Sequence, residues 1–276
     1  MPKYRRPFIQ ILSEVIASMV ATIQVTSVVL NGDGSQTLSC CDIFYAQKKF
    51  NVTINSLSYK ITAVSFTDST ITVMPNFTGV STIAPKTIFT LYQVYFFHGT
   101  PAATQEELVK IKNENNKTPM IWLWENYKES IFEFEMIERR ISVELYALTQ
   151  PPELLPRMQT DEIYNECIDA MQRLIEFFVE TLRYRTDIFY TDELEYETEN
   201  FARFGIIARS LGSAKQIFTS NLSGVSFSAT LELTYKDNCK CPPIIPAPIP
   251  PDPFTRTLST GEDRTVSTSE TRTVST

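Results

Sequence analysis

The sequence predicts an α+β domain, in which a mixed or antiparallel sheet is packed by an N-terminal helix, a short capped helix and a long helix. Apolar residues recur at helical spacing near the N-terminus and again over 161–182, and strict two-residue alternation marks 141–147 and 225–235. Helices and strands do not alternate one for one, as they would around a parallel sheet. The 276 residues suffice to bury a substantial core.

Phe8, Leu12, Val15, Ile16, Met19, Val20 and Ile23 share a helical face, which predicts a core-facing helix from Phe8 toward Ala21. Lys3, Arg5 and Arg6 precede it as in a signal peptide, but Gln10, Ser13 and Glu14 interrupt the apolar run. Val25 to Leu30 reads as a strand closed by the turn Asn31-Gly-Asp-Gly34. Phe50–Ile54, Tyr59–Phe66 and Thr70–Met74 alternate apolar residues with Thr and Ser. They predict a small antiparallel meander, inserted at about residues 39–85.

Ile88 to Phe97 predicts a further strand that ends at His98-Gly99. Pro101 blocks helix upstream of itself, and Thr104 with Glu107 has the spacing of a capping box. A short helix is therefore expected from about Gln105 to Lys112, with Leu108 stapled on Ala103. Met120–Trp124 is a short, wholly apolar strand, and Ile131–Ile137 fits either strand or helix. Ile141, Val143, Leu145 and Ala147 fall on one strand face. Pro151, Pro152 and Pro156 turn the chain into the strongest helix, Asp161 to about Leu182, with Thr160 as N-cap and Asp161 and Glu162 at its positive end. Asp187–Asn200 reads as an acidic loop, and Val225–Tyr235 as a long strand.

The domain proper spans 1–241. Residues 242–254 are proline-rich and suit an extended polyproline II spacer. Within 255–276, Arg256-Thr-Leu-Ser-Thr260, Arg264-Thr-Val-Ser-Thr268 and Arg272-Thr-Val-Ser-Thr276 repeat with a period of eight. This arm is too polar to form a core alone, which predicts disorder in the free chain, yet its alternation suits a strand added to a neighbour's sheet edge.

A formal charge of −7 argues against a sequence-independent grip on nucleic-acid phosphates, which needs clustered Lys and Arg. The five cysteines include Cys40-Cys41 and Cys239-Lys-Cys241, which make no disulfide framework and read as reduced thiols of a cytosolic compartment. No run approaches the roughly eighteen uninterrupted apolar residues of a membrane span. The four sequons at Asn51, Asn76, Asn116 and Asn221 carry little weight, because about two or three are expected by chance.

Few residues offer chemistry. His98 is the only histidine, and neither a G-x-S-x-G elbow nor a cysteine signature accompanies it, so a structural role at the strand end is expected. Cys40, Cys41, Cys239 and Cys241 lack zinc-knuckle spacing, and no phosphate-binding glycine loop occurs. Asp187, Asp192, Glu193, Glu195, Glu197 and Glu199 lack the register of a calcium loop and read as a solvated acidic edge. Trp122, Trp124, Phe96 and Phe97 read as core, since no interleaved Arg or Lys suggests base stacking. Arg139 and Arg140 suit either a partner's acidic surface or the solvated start of a strand.

The segment Tyr95-Phe-Phe-His-Gly-Thr-Pro101, the capped helix after it and Pro119-Met-Ile-Trp-Leu-Trp124 together resemble neck and tail-completion proteins of tailed bacteriophages, especially those of Bacteroidota hosts. The resemblance implies a tail-terminator-like fold and a virion structural protein of the head-to-tail connector, without catalysis, cofactor or metal. It implies a ring of about six or twelve copies that touches portal, neck or tail-tube proteins, and through which double-stranded DNA passes without specific binding. Such a protein has no membrane contact and is assembled in the host cytoplasm into the neck or tail of the virion.

In that setting His98, Gly99, Pro101, Thr104 and Glu107 form a structural joint, and Arg139, Arg140, Arg256, Arg264 and Arg272 are interface candidates. The acidic residues Asp187, Asp192, Glu193, Glu195, Glu197 and Glu199 become candidates to line the channel. The meander and the arm depart from a minimal member of the family. Two other classes stay open: a receptor-binding or surface-adhesion module of a virion, and a hydrolase that uses His98.

Overall fold

The structure, a computed structural model, describes residues 7–78, 81–110, 118–124, 127–133, 137–151, 163–185, 189–190, 194–204, 206–208, 214–216 and 222–233. The fold is α+β, as the sequence predicts, with mixed and antiparallel sheets. The chain divides after Asp237 into two units. The second, Asn238–Thr276, lies outside the described residues, and with it Cys239, Cys241, the proline spacer, Arg256, Arg264 and Arg272.

Helix α1 (Phe8–Ala17) buries Phe8, Ile11, Leu12, Val15 and Ile16 on one face. It stops short of the expected end: Val20 is exposed, and Ile23 is buried as part of a strand. A period of 3.6 and a period of 2 coincide over short stretches, which is why Ile23 fitted the helical stripe.

A six-stranded antiparallel sheet follows, in the order β3-β4-β5-β2-β1-β6. Its strands are β1 (Thr22–Leu30), β2 (Gln36–Cys40), β3 (Asn51–Ile54), β4 (Leu57–Ser65), β5 (Thr70–Pro75) and β6 (Ile88–Thr90). The β1–β2 turn falls where Asn31-Gly-Asp-Gly34 placed it. Asn31 N–H donates to Ser35 O at 2.9 Å, and Asp33 Oδ1 accepts from both the N–H and the hydroxyl of Ser35. The expected meander, β3 to β5, is continuous with β1 and β2 through the β2–β5 pairing. The sheet curls until β3 and β6 approach one another, and Phe50 stacks on Tyr92 at 4.2 Å. Buried Gln36 ties down a loop, donating to Ser81 O at 2.7 Å and accepting from Ile83 N at 2.8 Å.

The expected strand Ile88–Phe97 is broken in two. Tyr92 and Tyr45 each donate a hydroxyl proton to the other's carbonyl, at 2.9 and 3.0 Å, and this pair marks where the chain leaves one sheet for the other. The second sheet has seven strands: β7 (Tyr95–Gly99), β8 (Met120–Trp124), β9 (Lys128–Glu133), β10 (Ile137–Thr149), β11 (Phe189–Tyr190), β12 (Tyr196–Phe204) and β15 (Leu222–Leu233). Strands β7 and β8 are parallel, with α2 (Pro101–Lys110) between them in sequence, and the other pairs are antiparallel. Strands β13 (Ile206–Ala208) and β14 (Ala214–Gln216) pair separately. The ambiguous stretch resolves to strand over Ile131–Glu133, and the expected acidic loop becomes strand over β11 and β12.

Helix α3 (Asp169–Tyr184), preceded by a π-helical turn at Tyr164–Ile168, packs between the two sheets. Phe178 meets Phe227 of β15 at 5.7 Å, while Phe177 meets Phe44 at 5.1 Å and Arg173 lies 4.7 Å over the Phe66 ring. One core therefore spans both sheets, α1 and α3. The expected cap of this helix, Thr160 with Asp161 and Glu162, lies outside the described residues.

The other face of the seven-stranded sheet carries a satellite core of Phe97, Leu108, Met120, Trp122, Tyr146, Leu148 and Leu222. Wholly apolar β8 lies between β10 and β7, with Ile121 and Leu123 in the main core and Met120 and Trp122 in the satellite. Among the described residues no helix is long and apolar enough to cross a membrane.

Candidate functional site

The His98 segment is a strand-to-helix corner, but its cap lies one turn earlier than expected. Thr100 Oγ1 accepts the Ala103 N–H at 3.3 Å, and Pro101 takes the first helical position, where its missing N–H leaves no bond unmade. Thr104 is instead fully buried inside α2, and among the described residues its hydroxyl has no partner. Glu107 and Ala103 are exposed, so neither capping box nor staple forms, and Leu108 packs into the satellite core. Gly99 adopts φ +121°, a conformation that favours glycine. His98 is exposed on β7, its ring 5.9 Å from that of Phe96, beside a shallow depression that Ser13, Gln10 and Glu107 also line.

Arg139 and Arg140, adjacent on β10, point to opposite faces of the sheet. Arg139 is buried, and its Nε donates to Glu129 Oε1 at 2.6 Å across the β9–β10 ladder. That places its guanidinium inside the fold of this chain. Arg140 stays half-exposed and pairs at 2.6 Å with Glu232, directly opposite on β15.

The polar half of the sheet's outer face gathers carboxylates from three strands. Glu144 of β10 lies opposite Ser228 of β15, and Ser228 lies opposite Glu197 of β12; Glu199 follows opposite Ser226. Glu195, Glu197 and Glu199 are exposed. A cleft of about 970 Å³ runs here, lined by Ser142, Glu195, Glu197, Ser228, Thr230 and Glu232 among others. The Tyr146 hydroxyl donates to Glu144 Oε1. Burial pushes the Tyr146 phenol up, and the bond to Glu144 and the charges of Glu144 and Glu199 push it further. Asp187, Asp192 and Glu193 lie outside the described residues.

Sequence reasoning missed Glu144 and Glu232. Their signal was the polar half of the alternation at Arg140, Ser142 and Glu144, read only for its apolar half. Among the described residues no three His, Cys, Asp or Glu converge to hold a metal. Cys40 and Cys167 are buried and Cys41 exposed, all as thiols. The aromatic group is core as expected for Trp122 and Phe97, with Trp122 5.3 Å from Tyr146 and 5.4 Å from Trp124.

No family model matches this chain, and no curated protein or solved structure matches it.

Proposed function

We propose that this chain is a structural protein of a tailed-phage neck or tail, built into a ring around the DNA channel and joining adjacent layers of the connector. The observation that supports this best is the acidic sheet face. Glu144, Glu195, Glu197 and Glu199 sit together on the exposed side of a sheet whose other side is buried under α1 and α3. A rigid carboxylate-bearing sheet facing a lumen repels phosphates within the Debye length, about 8 Å at physiological salt, so DNA slides without adhering. The resemblance of Tyr95–Pro101 and Pro119–Trp124 to neck and tail-completion proteins points the same way.

In this reading the domain makes heterologous contacts with copies of itself that close a ring. The arm beyond Pro242 extends those contacts, at an entropic cost of ordering. A nonsense mutation in the gene, in the phage that encodes it, tests the proposal. The expected result is filled heads and tails that fail to join, restored by supplying the chain in trans. Tailed, infectious particles made without the chain would refute it.

A further inference from the structure

We propose that the outer edge of β1, over Thr26–Leu30, receives a C-terminal repeat from a second copy of this chain as an added antiparallel strand. The inference goes beyond the virion reading and does not depend on it, since it concerns only how copies bind one another.

Among the described residues, this edge is open. Strand β6 covers β1 only from Thr22 to Gln24, and the cover ends where Val25 N–H donates to Thr87 O and Lys86 N–H to Val25 O. Beyond Val25 the strand has a partner on its inner side alone, β2. Val29 and Leu30 are 58% and 57% exposed.

Edges that must stay unpaired are blunted with charge, proline or bulges. Strand β12 at the rim of the other sheet is blunted in this way, by Glu197 and Glu199. The Thr26–Leu30 edge is Thr-Ser-Val-Val-Leu, rich in β-branched residues and without a charge, and its one irregularity, a register shift between Val25 and Ser27, falls at the end next to β6. It has the composition of an edge that is meant to pair.

The C-terminal repeats, which lie outside the described residues, have a sequence that suits such an edge. Each repeat opens with an uncharged Thr-Val-Ser-Thr or Thr-Leu-Ser-Thr stretch headed by an arginine, and in the first two repeats an acidic residue follows six places after that arginine, Glu262 after Arg256 and Glu270 after Arg264. The edge offers the complementary ends. Exposed Asp33 stands in the turn just past Leu30, and exposed Lys86 stands beside Val25 at the other end.

An antiparallel repeat with Arg264 opposite Leu30 puts Val266 opposite Val28 and Thr268 opposite Thr26. Pairing ends at Thr268, because Val25 is already bonded to Thr87 and Lys86; Arg264 then lies beside Asp33, and Glu270, two residues past the last pair, lies next to Lys86. The reverse direction would set Arg264 near Lys86, so charge selects the orientation. Backbone bonds give the affinity, and the paired ends give the register.

The test uses the full-length chain, followed by sedimentation and by amide exchange at Thr26–Leu30 across protein concentration. Self-association should rise with concentration together with at least an order-of-magnitude slowing of exchange at the outward amides. Val29→Lys should abolish both, as should the triple reversal Arg256→Asp, Arg264→Asp and Arg272→Asp. Adding Asp33→Arg to the triple reversal should restore them. Three results would overturn the proposal: association indifferent to the arginine reversal, protection that survives cutting the chain after residue 241, as direct β1–β1 pairing would give, or protection independent of concentration, as a chain's own arm would give.

Discussion

Glu129 accepts a 2.6 Å hydrogen bond from Arg139 Nε, and the arginine side chain is only 6% exposed. Taking one partner from a buried pair is far more damaging than replacing both with apolar residues. Glu129→Ala is therefore expected to lower unfolding free energy by about 2 kcal/mol, and Arg139→Met with Glu129→Leu by clearly less. Urea denaturation of the two variants checks this, and equal losses would mean that the pair is not coupled.

Helix α2 separates two threonines that look alike in sequence. Thr100 caps, so Thr100→Ala should lose about 1 kcal/mol. Thr104 is buried with an unpartnered hydroxyl, so Thr104→Val should be neutral or stabilising. If the capping box of the sequence pattern held instead, thermal melts would show the opposite order.

Gly224 lies opposite Leu148 in the β10–β15 ladder, and a Cβ built there would sit 2.0 Å from Ala147 O. A methyl group at that spot must push two central strands apart. Gly224→Ala is expected to lose about 2–3 kcal/mol, as overpacking does, with the damage visible as faster amide exchange along Ala147–Thr149.

Burial pushes the Cys40 thiol up to about 11 and the Cys167 thiol up to about 12, each helped by a neighbouring charge, Cys41 and Glu166 respectively. The unfolded chain loses these protons near the ordinary value of 9.0, before the folded protein does, so stability is intact below pH 9 and falls as pH rises toward 11–12. Burial raises Tyr45 and Tyr92 in the same direction. Midpoint temperatures between pH 7 and 11 should therefore stay level and then decline from about pH 9. At pH 8, alkylation with mass analysis should find Cys41 modified and Cys40 and Cys167 protected until the protein unfolds.

Much of the scaffold was legible because burial follows periodicity. The stripe from Tyr164 to Leu182, apart from exposed Tyr164 at its start, the alternation of Ile141 to Ala147 and the turn at Asn31–Gly34 each became the element they predicted. What failed was local grammar overruled by tertiary contacts. Tyr92 breaks the expected strand Ile88–Phe97 because its hydroxyl and carbonyl are both taken by Tyr45, some distance away in sequence. Thr104 has capping spacing, yet Pro101 can occupy the first helical position and moves the cap to Thr100. Glu197 and Glu199 looked like loop residues because β12 is exposed over most of its length and so shows no buried apolar face. The strand pairings build the acidic face, which a linear reading cannot assemble from β10, β12 and β15.

Protein composition and copy number of purified virions, measured on the phage that encodes this chain, bear most directly on the ring. A connector ring predicts the chain in every particle at about six or twelve copies, placed by electron cryomicroscopy at the head-to-tail junction or tail end with the β12 carboxylates toward the axis. Virions that lack the chain altogether would contradict it.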